Sequence, residues 1–190
     1  MTQIDKTSPL LSRYDECLAF VLNEEGGYAN NKADRGGPTN RGITQRTYDE
    51  WQERHGLPLQ DIRRITHSEV AAIYHGAFWN QCDCPNLHIP IDLVVFDSAV
   101  QHGPGRAAKW LQHVVGATVD GVIGFRTLYA VNDNVMRGRI KTIVSDYLDL
   151  RSAFYSGIIA RDPTQKIFER GWRSRMVRLE AATRAQEGMT

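Results

Sequence analysis

The chain lacks any apolar run long enough to cross a bilayer. The stretch Leu18 to Leu22 is only five residues, against the about 20 that a spanning helix needs. Residues Met1 to Pro9 carry Asp5 and Lys6 and no apolar core, so neither a secretory signal nor stable membrane insertion is expected from them. Cysteine is scarce: Cys17, Cys82 and Cys84 are an odd number. A lone Cys-x-Cys has too few partners for a structural zinc site, so free thiols are expected. The six histidines include no H-E-x-x-H pair; no metal and no cofactor are assigned. Net charge is only +1, and no helix-turn-helix or RNA-binding signature is present, so nucleic acid is not an expected partner. There is no low-complexity tract, no repeat and no Pro/Ser-rich tether. A chain of 190 residues is ample for a core, and the expectation is a monomer with lobes 1–90 and 91–190 packed as one compact unit.

What the sequence does have is an unusual stretch from Leu22 to Thr44. A helical apolar pattern runs to Leu22 and stops at Gly26-Gly27. This leaves Glu24 and Glu25 at a helix C-terminus, where the macrodipole disfavours carboxylates. Nine residues beyond Glu25 comes Asp34, and five beyond that Thr39, in a segment whose glycines Gly36, Gly37 and Gly42 let backbone approach a ligand closely. Two carboxyls and a hydroxyl around one tight double turn suit glycoside hydrolysis. There, a protonated carboxylic acid serves the leaving oxygen while a second group activates water or supports the oxocarbenium-like transition state. Glu25 is the candidate acid. The bland alternative is a pair of solvated helix-end charges with Asp34 in an Asx turn.

The strings Glu25-Gly26-Gly27-Tyr28 and Asp34-x-Gly36-Gly37-Pro38-Thr39-Asn40-x-Gly42-Ile43-Thr44 resemble the opening motif of glycoside hydrolase family 108, the N-acetylmuramidases of phage endolysins and related bacterial proteins. Downstream, three segments resemble the peptidoglycan-binding region that accompanies that family. They are Phe96-Asp97-x-Ala99-Val100-x-x-Gly103-Pro104-Gly105-x-Ala107, Leu111-Gln112, and Val119-Asp120-Gly121-Val122-Ile123-Gly124 with Thr127. The resemblance implies a lysozyme-like helical fold with a small β-hairpin near the catalytic Glu. The implied substrate is peptidoglycan glycan strands, cut at the β-1,4 bond between N-acetylmuramic acid and N-acetylglucosamine. It further implies catalytic roles for Glu25, Asp34 and Thr39, with Tyr28 and Asn40 beside them. The Glu-x8-Asp spacing is also similar to that of single-chain phage lysozymes, in which the third catalytic group is a Thr one residue further from the Asp. A protein of this kind, made without a signal, would need a holin-type pore or another route to reach the wall. Within enzymes the alternative is a lytic transglycosylase; outside them, a non-catalytic wall-binding module.

The remaining pattern is mainly α. Ser12 can cap a first helix running to about Glu25. The alternation from Thr39 to Thr44 allows a hairpin, and Thr44 or Thr47 opens a helix carrying Tyr48 and Trp51. Thr66-x-x-Glu69 is a capping box. An apolar run from Leu93 ends at His102-Gly103, after which Pro104 starts a helix that Gly116 stops. From Val135 to Ile158 the helical period is kept for roughly seven turns, and a last helix follows Pro163.

Four further sites carry functional and structural readings side by side. Asp97 sits on the apolar run, where a carboxylate must be paired or functional, and is a candidate for lining a cleft between the lobes. Asp120 is either a glycan contact or a turn residue. Trp51, Trp79 and Trp110 read as core, while Trp172, in Phe168-x-x-Gly171-Trp172-x-x-Arg175, is a cleft-wall or core candidate because that segment resembles the one closing the family's chain on its catalytic lobe. Residues 134–190 hold eleven Lys and Arg against six Asp and Glu, densest around Arg170, Arg173, Arg175 and Arg178, which forms either an anion-binding face or a solvated one.

Overall fold

The computed structural model describes residues 12–29 and 37–186. Its backbone contacts divide the chain into two compact units, with the boundary between Ile73 and Tyr74. The first unit opens with helix α1 (Arg13–Glu24), whose N-cap Ser12 and N3 residue Asp15 form a reciprocal capping box. Cys17, Leu18 and Val21 form its buried stripe. Strands β1 (Thr39–Asn40) and β2 (Ile43–Thr44) pair antiparallel, Thr39 opposite Thr44 and Asn40 opposite Ile43. Arg41 (φ 50°) and Gly42 (φ 75°) make the two-residue turn between them. Positive φ at both positions is what a type I′ hairpin turn requires, and Gly supplies it without strain. Thr44 then caps helix α2 (Gln45–Arg54), its hydroxyl accepting from the Thr47 N–H. Helix α3 (His67–Tyr74) begins with the expected box: Glu69 accepts from the Thr66 N–H at 2.7 Å and from its hydroxyl at 2.8 Å. The other carboxylate oxygen of Glu69 accepts the Tyr48 hydroxyl at 2.9 Å, which ties α2 to α3. Burial and this bond push the Tyr48 phenol up to about 12.

In the second unit, α3 passes into a π-turn at His75–Trp79 and a 3₁₀ turn at Cys84–Asn86. Helix α4 (Ile91–His102) is buried at every position from Ile91 to Ala99. A helix apolar all round must be surrounded, and α4 packs against the His75–Trp79 turn, α5 (Pro104–Val115), α7 (Ile140–Arg161) and α8 (Glu169–Gln186). The rings of Tyr74 and Trp79 meet Phe96 edge-on at 6.5 and 5.2 Å. Pro104 occupies the first turn of α5, and Gly116 (φ 74°) ends it, as read from the sequence.

One element differs from that reading. The seven-turn pattern from Val135 is two helices, because α6 (Phe125–Met136) stops at Arg137 and α7 begins at Ile140. Gly138 (φ 72°) makes the break. Its N–H donates to Val135 O at 2.8 Å, and the Arg139 N–H to Asn134 O at 3.0 Å. These bonds satisfy the end carbonyls in a left-handed glycine cap. Among the described residues no helix is long and apolar enough to cross a membrane. None of their His, Cys, Asp and Glu side chains form a group able to hold a metal. All three cysteines are buried and form no disulfide among the described residues.

Candidate active site

Glu24 is the last residue of α1, and Glu25 is its C-cap, with extended backbone (φ −86°, ψ 141°) and its N–H bonded to Val21 O at 3.2 Å. The chain therefore leaves the helix at Glu25, and both carboxylates are partly buried. Four residues on, Ala29 forms a bridge with Thr39: Ala29 N–H donates to Thr39 O at 2.9 Å, and Thr39 N–H to Ala29 O at 2.8 Å. The segment behind Glu25 is thereby stitched to the outer edge of β1 as a third, minimal strand. Helix end and Gly-rich hairpin become one local body.

Tyr28 is 45% exposed. The Arg63 guanidinium stands over its ring, 5.9 Å from the centroid. Arg63 also holds Asp61 through bonds of 2.5 and 2.9 Å, which pull that carboxyl down to about 2. Asn40 donates its side-chain amide to Ile62 O at 3.2 Å. Tyr28 and Asn40 thus both contact the turn Ile62–Arg64, which is tied further by Gln45: Ile62 N–H donates to its Oε1 at 2.7 Å. Asn40 has a bracing job in addition to any glycan contact. Among the described residues the Thr39 side chain, partly exposed, has no hydrogen-bond partner. Asp34 lies outside the described residues.

The other candidate residues belong to the second unit. Asp97, expected as a cleft residue, is fully buried with no face for a ligand, and this corrects that reading. Its Oδ2 accepts from Arg151 Nη1 at 2.5 Å, and its Oδ1 from Arg175 Nε and Nη2 at 3.0 and 2.7 Å. Burial pushes the carboxyl up, but the two guanidinium charges outweigh it and hold it below its ordinary value. Arg151 Nε also donates to the Tyr155 hydroxyl at 3.2 Å. The phenolic proton is then free for His102 Nε2, 3.0 Å away. Burial, Arg151 and Arg106 push the His102 imidazole down to about 3, which favours its neutral form. Tyr155 stacks on Trp172, centroids 4.7 Å apart.

Asp120 builds its own loop. One of its oxygens accepts from Gln112 Nε2 at 2.7 Å and from the Val122 N–H at 2.9 Å. The Gln112 bond is the main reason its carboxyl is held below the usual range. Buried Gln112 also accepts the Gly121 N–H at 2.9 Å and reaches Val122 O and Thr127 Oγ1 at 3.0 and 3.1 Å. Sequence reasoning missed this organising role; its signal was a glutamine on the otherwise apolar face of α5.

Residues 18–103 match the family described as glycosyl hydrolase 108, and residues 106–177 match one described as a predicted peptidoglycan domain. The structure of SagA from Brucella abortus is 32% identical, with a TM-score of 0.74; the match covers 90% of this chain and 94% of that one. None of the curated proteins compared with the chain matches it. The chain belongs to the glycosyl hydrolase 108 family, with a peptidoglycan-binding region on its C-terminal side. It has the lysozyme-like, mainly α fold with a small hairpin and is a peptidoglycan-hydrolysing glycoside hydrolase. The two family segments part between residues 103 and 106, at the α4–α5 junction, whereas the compact units part between Ile73 and Tyr74.

Proposed function

We propose that the enzyme is an N-acetylmuramidase that cuts the β-1,4 bond between N-acetylmuramic acid and N-acetylglucosamine, acting as a monomer on glycan strands without a nucleic-acid partner. Glu25 gives its proton to the glycosidic oxygen as the bond breaks. Asp34 supports the positive charge developing at the sugar, and Thr39 orients the water that attacks the opposite face of the ring. Tyr28, Asn40 and Asp120 contribute glycan contacts.

The observation that supports this reading most is the Ala29–Thr39 bridge. It fastens the residues just after Glu25 to the strand carrying Thr39, which supports a reading in which acid and hydroxyl serve one substrate. In the cell the role is that of a bacteriolytic endolysin of phage type, made in the host cytoplasm and admitted to the wall by a separate release factor.

The test is release of reducing ends from purified peptidoglycan by wild type, Glu25→Gln and Glu24→Gln. A general acid contributes on the order of 10² to 10⁴-fold, so Glu25→Gln should lose that much with folding retained, and Glu24→Gln should lose little. A fully active Glu25→Gln sinks the assignment. Mass spectrometry separates hydrolysis from a transglycosylase, whose products carry a 1,6-anhydro ring in place of a reducing end. NMR of fresh digests should show inverted anomers; retained ones would make Asp34 a nucleophile or point to assistance from the substrate.

A further inference from the structure

Helices α7 and α8 do not close against each other along their whole length. They leave a groove of about 270 Å³ whose lining includes Trp172, Leu148 and Met176. This lies near the lower end of the about 300–1,000 Å³ typical of small-ligand sites. An adjoining hollow of about 330 Å³ shares Ser145, Leu148 and Glu180 with it. One wall is braced: Trp172 stacks on Tyr155, which also lines the groove and whose hydroxyl belongs to the Arg151–His102 chain of bonds.

The first compartment of the groove is the more acidic and the second the more basic. Exposed Asp149 and Glu169 line the first compartment, and Lys141 and Arg184 line the second. Glu180 stands at the shared wall, bonded to Arg184 at 2.5 Å. In the acidic compartment, Arg173 is the single cation on the wall among the described residues. The hydroxyl of Ser156 donates to Ser152 O at 3.2 Å, so what it offers the groove is an acceptor. Carboxylates, an acceptor hydroxyl and an indole face together favour an ammonium group. The second compartment, one turn or more along the same helices, favours a carboxylate.

We infer that this groove binds the peptide stem of peptidoglycan, taking the side-chain ammonium of its diamino acid at Asp149 and Glu169 and a stem carboxylate at Lys141 and Arg184. The inference rests on the reading of peptidoglycan as the partner. It gives the C-terminal region a peptide contact separate from any glycan contact at Asp120.

The experiment is calorimetric titration of the full chain with the tripeptide L-alanyl-γ-D-glutamyl-L-lysine, beside the same peptide acetylated at the lysine amine. Wild type should bind the free amine saturably and the acetylated peptide about 5-fold or more weakly. Asp149→Asn with Glu169→Gln should lose the same factor for the free amine and leave the acetylated peptide unchanged. Asp146→Asn, on the same helix but outside the groove, should change neither. No saturable binding by wild type, or equal binding of both peptides, overturns the inference. Since the readout involves no bond cleavage, it can be repeated on Glu25→Gln. Active Glu25→Gln protein that still binds peptide refutes the catalytic assignment alone, whereas hydrolysis without peptide binding refutes the groove alone.

Discussion

Replacing Asp97 by Asn would remove a buried carboxylate that pairs with two buried guanidinium groups. Asp97 and Arg151 have fully buried side chains and Arg175 is 7% exposed, at pair distances of 2.5 and 2.7 Å. Breaking a buried pair by removing one partner costs about 3–5 kcal/mol. At about 2–4 °C of Tm per kcal/mol for a chain of this size, Asp97→Asn should melt about 6–20 °C lower. Calorimetry at neutral pH reads this directly, with hydrolysis measured in parallel and scaled to the folded fraction. The acid branch of the curve gives an independent check. The folded carboxyl is held below its unfolded value of about 3.9, so its contribution is complete above that value and is lost as pH falls through the lower folded one. Wild type should therefore lose stability below about pH 4 by a component that Asp97→Asn lacks. Converting the whole triad to Asp97→Ala, Arg151→Met and Arg175→Met should recover part of the loss, because no buried charge is then left alone. An unchanged Tm with a large fall in turnover would refute this reasoning and return Asp97 to the substrate.

Two other outcomes follow from buried hydrogen bonds. Gln112→Leu should lower stability by about 1–3 kcal/mol, chiefly through the Gly121 N–H, which loses its acceptor, and speed amide exchange at Gly121, while glycan hydrolysis by folded enzyme persists. For His102, the unfolded chain takes up a proton near 6.5 while the folded imidazole resists until about 3. The unfolded state binds more protons across that window, so stability should fall as pH drops through it. His102→Gln should flatten the urea midpoints measured between pH 7 and pH 4.

Much of the first unit was legible because neighbours in sequence decide it. Ser12 with Asp15, Thr66 with Glu69, and the Arg41-Gly42 turn each fix an element end through bonds spanning two or three residues. The same logic would have found the Gly138 break, had a glycine after Met136 been weighed above an unbroken apolar period. The bridge from Ala29 to Thr39 was not legible, since nothing local sets which part of a Gly-rich segment returns to the strand. Nor was the contact of Tyr28 with Arg63, thirty-five residues away.

The basic C-terminal segment shows how a count of charges misleads and how periodicity corrects it. Of its eleven cations, Arg151 and Arg175 are buried and paired with Asp97, so the solvent meets a smaller excess than the count implies. On α8 the buried positions are Arg175, Leu179 and Thr183, spaced four apart and thus on one face. Arg170, Arg173 and Arg178 fall off that stripe and are exposed. On α7, Arg151 falls in the row Val144, Leu148, Arg151, Tyr155, again at helical spacing among buried residues. An arginine at a core position demands a buried anion. The apolar run of α4 offers Asp92 and Asp97 as buried carboxylates. Asp92 lies in the first turn, where the macrodipole and the Leu93 N–H, 2.7 Å from its Oδ1, already serve it. That leaves Asp97, mid-helix and without such help, as the carboxylate the two arginines require.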